Sequence, residues 1–336
     1  MVRACFEQLS PFFVGCLCFF FTWICYPLWI KWIKNFNLLT KGHVDHILDE
    51  NLKLIKEKTP SFGGVLFLLI PFLIVPIIFN PIPKAYYAFL VLALLMALVG
   101  LFDDLLKLVP PKKGISSKAK SLGQLFASAV FLGLVFFSEK TFILHIPFGQ
   151  DLVFESFIFK SLFLFFLAFI LVGTSNAVNL TDGMDGLAGL LSLVTLFFLA
   201  AISYFEGEVF LTWMIVAFMG SLLGFFLFNK KPAKIFMGDV GSLPLGALIA
   251  GFAIFLHQEL LLVFLGGMFV IETLSVILQV SYYKKTKKRI FLCAPLHHHF
   301  QFYGHKEDVI VHRFAACQSL FALVGFCLYW TARNYV

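Results

Sequence analysis

The sequence predicts an all-α, polytopic integral membrane protein, and three observations carry that reading. Hydrophobic residues make up 60% of the 336 positions and charged residues only 13%, a balance far from that of a soluble globular domain. The mean hydropathy is +0.92. The apolar residues also gather into stretches near the roughly 20 residues needed to cross a hydrocarbon core.

About ten transmembrane helices can be read, at approximately 11–33, 62–79, 85–102, 121–137, 157–174, 187–205, 210–228, 243–256, 260–281 and 314–332. The first, from Pro11, is too long for a signal peptide and lacks a small-residue cleavage site, so it reads as an uncleaved helix. The eighth is short and glycine-rich, and is expected to tilt, break or be only partly embedded. Between the fourth and fifth, Phe142 to Phe148 and Leu152 to Phe154 flank Gly149-Gln150-Asp151, a pattern that suggests a small β-hairpin on the outer side. No long linker, low-complexity tract or repeat interrupts the chain, so residues 1–336 read as a single transmembrane domain.

Orientation follows from the basic residues. Nearly all of the 26 Lys and Arg lie in loops after odd-numbered stretches, and the other side has only Arg3, Lys84, Lys140, Lys160 and Arg333. The odd loops are therefore expected on the cytoplasmic side, with both termini outside. The net charge of +7 reports this bias and an attraction to anionic headgroups of the lipid bilayer, and gives no case for nucleic-acid binding. Of the seven cysteines, Cys16, Cys18, Cys25, Cys317 and Cys327 lie in apolar stretches without zinc spacing, which favours buried inert thiols.

The polar clusters all fall in odd loops, so a cytoplasmic cleft is expected where they converge. The densest is Asn176-Ala-Val-Asn-Leu-Thr-Asp-Gly-Met-Asp-Gly186, two amides and two carboxylates between long apolar runs. An Asp at the centre of a membrane helix costs roughly 2.5–3.5 kcal/mol, so Asp182 and Asp185 need water or a ligand. Asp103 and Asp104 end an apolar helix, where the macrodipole opposes negative charge and a cation is wanted. Asp182, Asp185 and Asp239 each adjoin a glycine, which lets backbone approach a ligand, and oxygen ligands at incomplete coordination suit Mg²⁺ shared with substrate phosphates. One Asp-Gly pair alone would only cap a helix; five aspartates in three loops on one face argue for a ligand.

Other groups carry weaker signals. Lys107, Lys112 and Lys118 read as well as positive-inside anchors as functional groups. Phe236, beside Gly238-Asp239, can stack on a nucleobase or simply face lipid. The run His297-His298-His299 lacks a suitably spaced further ligand for zinc, which favours hydrogen bonding to phosphate or sugar. Glu272 and Gln279 are the main polar residues placed within an apolar stretch.

Asp103-Asp104-x-x-Lys107, Asn176-Ala-x-Asn-Leu-x-Asp-Gly-x-Asp-Gly186, Phe236-Met-Gly-Asp-x-Gly-Ser242 and Pro295-x-His-His-His-Phe300, in this order, resemble the polyprenyl-phosphate N-acetylhexosamine-1-phosphate transferase superfamily over almost the whole chain. The Pro-Leu-His-His-His-Phe run narrows the resemblance to the phospho-N-acetylmuramoyl-pentapeptide transferase family. The resemblance implies a homodimeric enzyme of the bacterial cytoplasmic (inner) membrane. It would transfer phospho-MurNAc-pentapeptide from UDP-MurNAc-pentapeptide to undecaprenyl phosphate, giving lipid I and UMP, with Mg²⁺ required. Such a reaction joins a bilayer lipid to a soluble nucleotide and depends on positioning and charge neutralisation.

Carried onto matching positions, the resemblance implies Asp239 as the Mg²⁺ ligand and Asp103 as base or orienting group for the lipid phosphate, with Asp104 in support. Asn176, Asn179 and Asn229 would hold phosphate or sugar, Lys120 and His298 would neutralise the diphosphate, and Lys56, Asp182, Asp185 and Phe236 would form the uridine pocket. His297 and His299 would be further substrate contacts. Asp103 fits either direct attack or an aspartyl-phosphate route. The chain departs from the family at Lys58-Thr-Pro-Ser-Phe-Gly-Gly64, where Gly-Thr-Pro-Thr-Met-Gly-Gly is usual, and at Gly42-His-Val-Asp-His46 upstream. Transfer of N-acetylglucosamine-1-phosphate is the alternative within the superfamily, and the triple His argues against it. A secondary transporter would place its polar groups near the midplane rather than at helix ends, and a structural scaffold would not need the carboxylates.

Overall fold

The computed structural model describes residues 10–36, 38, 56, 58–109, 114–138 and 142–335. Among them are twelve helices: α1 (Pro11–Asn35), α2 (Gly64–Ile78), α3 (Lys84–Leu108), α4 (Ser117–Ser138), α5 (Phe157–Thr181), α6 (Leu187–Phe205), α7 (Val209–Asn229), α8 (Asp239–Phe255), α9 (Leu262–Leu265), α10 (Gly267–Thr286), α11 (Leu296–Phe302) and α12 (Glu307–Tyr335). Two short strands, β1 (Phe142–Leu144) and β2 (Leu152–Phe154), pair antiparallel with Phe142 opposite Phe154. Phe154 stacks on Phe163 of α5 at 4.5 Å, which pins the pair against the helices.

Every apolar stretch of the sequence lies on a helix. Six helices, α1, α3, α5, α6, α7 and α12, are long and apolar enough to cross a membrane, and α2 and α8 are shorter apolar helices. The protein is therefore a polytopic membrane protein. At 1.5 Å per residue α8 is only about 26 Å long, shorter than a bilayer core of about 30 Å. It need not match the bilayer, because every residue from Asp239 to Ile254 is buried and α3, α5, α2 and α6 pack around it. This eighth stretch does not break: the helix runs on through Pro244.

The ninth stretch does break. A single helix over 260–281 is replaced by α9 and α10, separated at Gly266. Interrupted backbone inside a membrane bundle must find new partners, and Gln318 of α12 supplies them: its Oε1 accepts from the Met268 N–H at 2.9 Å, and its Nε2 donates to the Leu265 carbonyl. The Thr195 hydroxyl donates to the same carbonyl at 2.9 Å. The fourth stretch also differs, since α4 starts at Ser117 and takes Lys118 and Lys120 into its first turns.

Close backbone contacts set the start of α8. A Cβ on Gly64 would lie 2.1 Å from the Gly241 Cα, and one on Gly100 would lie 2.1 Å from the Asp239 carbonyl oxygen. Only hydrogen fits there, so α2 and α3 reach the first turn of α8 directly. Gly100→Ala is expected to cost about 1–3 kcal/mol through overpacking and to lower the melting temperature of the purified protein. Gly133→Ala, whose added Cβ meets nothing within 4 Å, is the control and should melt at or above the wild-type temperature.

Candidate active site

The carboxylates that the motifs single out meet where the end of α3 touches the start of α8. Asp103 and Asp104 occupy the last turns of α3, and Asp239 opens α8. They are 4%, 2% and 3% exposed, and they present ligand atoms within 4.8 Å of one another, a cluster that can hold a metal ion. Asp104 Oδ2 accepts from the Val240 N–H at 3.0 Å, closing the α8 N-terminus, where the helix dipole favours an anion. Asp103 Oδ1 accepts from the Ile115 N–H at 2.8 Å, which leaves its Oδ2 for other partners.

Two lysines face these three acids. Lys107 Nζ lies 2.7 Å from Asp103 Oδ2, 3.1 Å from Asp239 Oδ2 and 3.7 Å from Asp104 Oδ1. Lys120 Nζ lies 2.6 Å from Asp239 Oδ2 and 3.1 Å from Asn179 Oδ1. Asn179 in turn donates to Asp239 Oδ1 and to the Ser242 hydroxyl, both at 2.8 Å. Buried charges persist only when paired and hydrogen-bonded, and here three acidic groups meet two basic ones, which leaves room for a further cation. Lys107, as readable as a membrane anchor, instead sits among all three carboxylates. Its spacing of three and four residues from Asp104 and Asp103 on one helix was the available signal.

A second cluster adjoins the first through the α5–α6 turn. Lys56, Asp182, Gly183, Met184, Asp185, Asn229 and Phe236 line a narrow pocket. Lys56 Nζ pairs with Asp185 Oδ1 at 3.0 Å and Glu307 Oε1 at 2.6 Å. Asn229 fixes the wall, accepting from the Gly186 N–H at 3.1 Å and donating to the Ile235 carbonyl at 2.9 Å. The Phe236 backbone bonds to Pro60 and Gly63 at 2.8 Å each, tying this wall to the Thr59–Gly64 segment. Gly42 to His46, Lys112 and Lys113 lie outside the described residues.

The three histidines separate. His297 is fully buried on α11, and its backbone N–H and Nδ1 both meet the Glu272 carboxylate of α10 at 3.1 Å. Its buried Nε2 has no hydrogen-bond partner among the described residues. A Cβ on Gly183 would lie 2.4 Å from that atom and 3.2 Å from His298 Nε2, so both imidazoles face the Asp182–Asp185 turn. His299 turns away from the carboxylates, with Nδ1 accepting from the Leu292 N–H at 3.1 Å and its ring against Phe291 and Tyr303. Asn176 is likewise not brought into the cluster. Its Nδ2 donates to Gln124 Oε1 at 3.0 Å, which joins α4 to α5, and to the Val172 carbonyl of its own helix at 2.8 Å, one turn before Asn179. Glu272 and Glu307 were not among the motif residues, and their sequence signal was only the cost of an acid beside apolar helix.

Burial, and then Asp239, Asp104 and Asp185, raise the Asp182 carboxyl well above the ordinary carboxylate range. Burial likewise raises Asp185, with Lys56 opposing. Burial works against the Lys56 ammonium, but Asp185 and Glu307 outweigh it and raise its pKa. A carboxyl with a raised folded-state pKa binds its proton more tightly folded than unfolded. Asp182 thus favours the folded state below its unfolded value of about 4, and that contribution is lost as pH rises through the folded value. Asp182→Asn does not titrate, so its melting temperature relative to that of the wild type should climb as pH is raised from about 4 into the range where the folded-state Asp182 ionises. A gap that is constant across pH would contradict this.

Residues 86–257 match the model of the family described as glycosyl transferase family 4. The chain is similar to the phospho-N-acetylmuramoyl-pentapeptide-transferase of Listeria welshimeri, at 40% identity covering 92% of this chain and 95% of the relative. It is similar at 41% identity to that of Carboxydothermus hydrogenoformans, covering 81% and 85%, and at 38% to that of Vesicomyosocius okutanii, covering 96% and 92%. With the motif carboxylates gathered at one end of an apolar helical bundle, and with relatives of this identity matching along nearly their full length, the chain belongs to the phospho-N-acetylmuramoyl-pentapeptide transferase family.

Proposed function

We propose that this chain transfers phospho-MurNAc-pentapeptide from UDP-MurNAc-pentapeptide to undecaprenyl phosphate, giving lipid I and UMP for peptidoglycan synthesis. The observation that carries the reading is the meeting of Asp239, Asp103, Asp104, Lys107, Lys120 and Asn179 beside the Lys56–Asp185 pocket. A lipid phosphate and a nucleotide diphosphate need adjoining places, one rich in charge partners and one with an aromatic wall.

The donor set fits Mg²⁺, a hard cation that takes oxygen ligands. Asp239 would be the primary ligand, with Asp103 and Asp104 within reach of the same ion. Bound there, Mg²⁺ supplies charge neutralisation to the diphosphate oxygens. Asp103, with Oδ1 held by the Ile115 N–H and Oδ2 paired with Lys107, would orient the lipid phosphate through Oδ2 and that lysine. Lys120 and His298 stabilise charge on the diphosphate, and Asn179 sets Lys120 against Asp239. Lys56, Asp182, Asp185 and Phe236 take the uridine, with Asn229 bracing the wall. His297, oriented by Glu272, faces the same turn.

In this reading α2, α4, α8 and the α9–α10 pair join the six longer helices to give ten spans of one transmembrane domain. The site lies on the cytoplasmic face of the bacterial inner membrane, both termini and the β1–β2 pair lie outside, and the enzyme acts as a homodimer. The basic odd-numbered loops support that orientation.

Purified protein supplied with undecaprenyl phosphate, Mg²⁺ and UDP-MurNAc-pentapeptide should release UMP, and Asp239→Asn should slow that release by about 10²–10³-fold, the scale of losing a transition-state charge partner. Release with UDP-N-acetylglucosamine alone would overturn the assignment in favour of the sister activity. Lys107→Met should leave the three acids underneutralised, so that the variant melts below the wild type without metal and gains more thermal stability on Mg²⁺ addition. An equal Mg²⁺ shift in both proteins would show that Lys107 and the cation do not share these carboxylates.

A further inference from the structure

One buried carboxylate outside every motif links the walls of the nucleotide pocket. Glu307 is the first residue of α12 and is 5% exposed. Its Oε1 accepts from Lys56 Nζ at 2.6 Å and from the Asp185 backbone N–H at 3.0 Å, and its Oε2 lies 3.9 Å from Lys231 Nζ. Three chain segments distant in sequence, the one before α2, the α5–α6 turn and the α7–α8 loop, therefore converge on the beginning of α12.

A role as a helix-start acid alone would not require this burial. Acidic groups near a helix N-terminus are favourable at the surface, and Asp308, next in the chain and with its side chain 53% exposed, already supplies one. Burying a second carboxylate is costly unless charge and hydrogen bonds compensate it, and the compensating groups here are the ones that shape the pocket. Lys56 and Asp185 line it, whereas Glu307 does not.

We propose that Glu307 is a positioning residue for the nucleotide half of the reaction. It holds the Lys56 ammonium and the Asp185 backbone in register without touching the nucleotide itself. With Asp185 alone, Lys56 would have one anionic partner and freedom to swing along its flexible stem. With Glu307 as well, the ammonium is fixed between two carboxylates from different segments, and the α5–α6 turn is fastened by its backbone to the same oxygen. This inference rests on the transferase reading above, because it assigns Lys56 and Asp185 to the uridine end of the donor.

Glu307→Gln keeps the shape and removes the charge. Losing one charge-assisted hydrogen bond behind the pocket should raise the KM for UDP-MurNAc-pentapeptide by about tenfold, with kcat and the KM for undecaprenyl phosphate within about twofold of wild type. The Kd for UMP, measured by calorimetry on the detergent-solubilised protein, should weaken by the same factor. Because Glu307→Gln keeps an oxygen for the Asp185 N–H and removes only the charge that Lys56 meets, adding it to Lys56→Met should weaken UMP binding no further than Lys56→Met alone. Glu307→Asp, a milder variant should the amide fail to fold, should fall between wild type and Glu307→Gln, and Asp308→Asn should leave donor KM unchanged. Unchanged donor KM and UMP affinity in the Glu307 variants, an equal rise in both KM values, or additive effects with Lys56→Met would each overturn the proposal. Absence of UMP release by the wild type would instead overturn the transferase reading, so the two failures are distinguishable.

Discussion

The Asp239 carboxylate is the interaction on which the rest of the bundle depends. Its Oδ2 takes Lys107 from α3 and Lys120 from α4, its Oδ1 takes Asn179 from α5, and the backbone beside it is capped by Asp104. Helix α8 carries it into the protein with no exposed side of its own until its last residue. A charge so placed is tolerable only when every neighbouring helix end delivers a partner, and the bare contacts at Gly64, Gly100 and Gly241 allow those ends to come close enough. Packing and electrostatics are thus one constraint here. If α3 moved away from α8, Asp239 would lose Lys107, and the Val240 N–H would lose its cap from Asp104.

The helices were legible because the apolar stretches are long and punctuated by polar turns, and the carboxylate motifs were legible because acids beside such stretches are costly. What escaped was long-range compensation. The break at Gly266 could not be read from residues 260–281 alone, since the group that satisfies it, Gln318, lies on α12. Glu307 and Glu272 look alike in sequence, acids at the edge of or within an apolar helix and outside every motif. Their partners Lys56 and His297 are 251 and 25 residues away. Asn176 shows the reverse case. It shares a motif and a helix face with Asn179, but lies one turn further from the helix end, so its amide meets Gln124 of α4 and not the Lys120–Asp239 pair.

The run from Asn176 to Gly186 belongs to both halves of the site. Its first part sends Asn179 to the Asp239 centre, and its last part sends Asp185 to Lys56 and Gly186 to Asn229. It carries no Lys or Arg of its own, and the cations come to it from α3, α4 and the segment before α2. An arrangement of that kind separates labour in space: one set of lysines meets the three acids where charge must be neutralised, and another lysine, held from behind by Glu307, meets the pocket with Phe236 in its wall.

That separation carries a consequence for how binding and chemistry are coupled. The α5–α6 turn is pressed by His297 and His298 on one side and fastened to Glu307 on the other, so it has little freedom to shift without disturbing both sets of partners. In the proposed reading a nucleotide would meet a turn already fixed and continuous with the helix that carries Asn179, and Asn179 is what sets Lys120 against Asp239. Rigid, over-determined turns of this type pre-organise charge before the reactants arrive, which is where electrostatic catalysis draws most of its effect. The acids at the bundle end are thus better understood as one braced frame than as separate ligands, with α8 as its buried post and the Asp182–Asp185 turn as the member that, in the proposed transferase reading, would join nucleotide to phosphate.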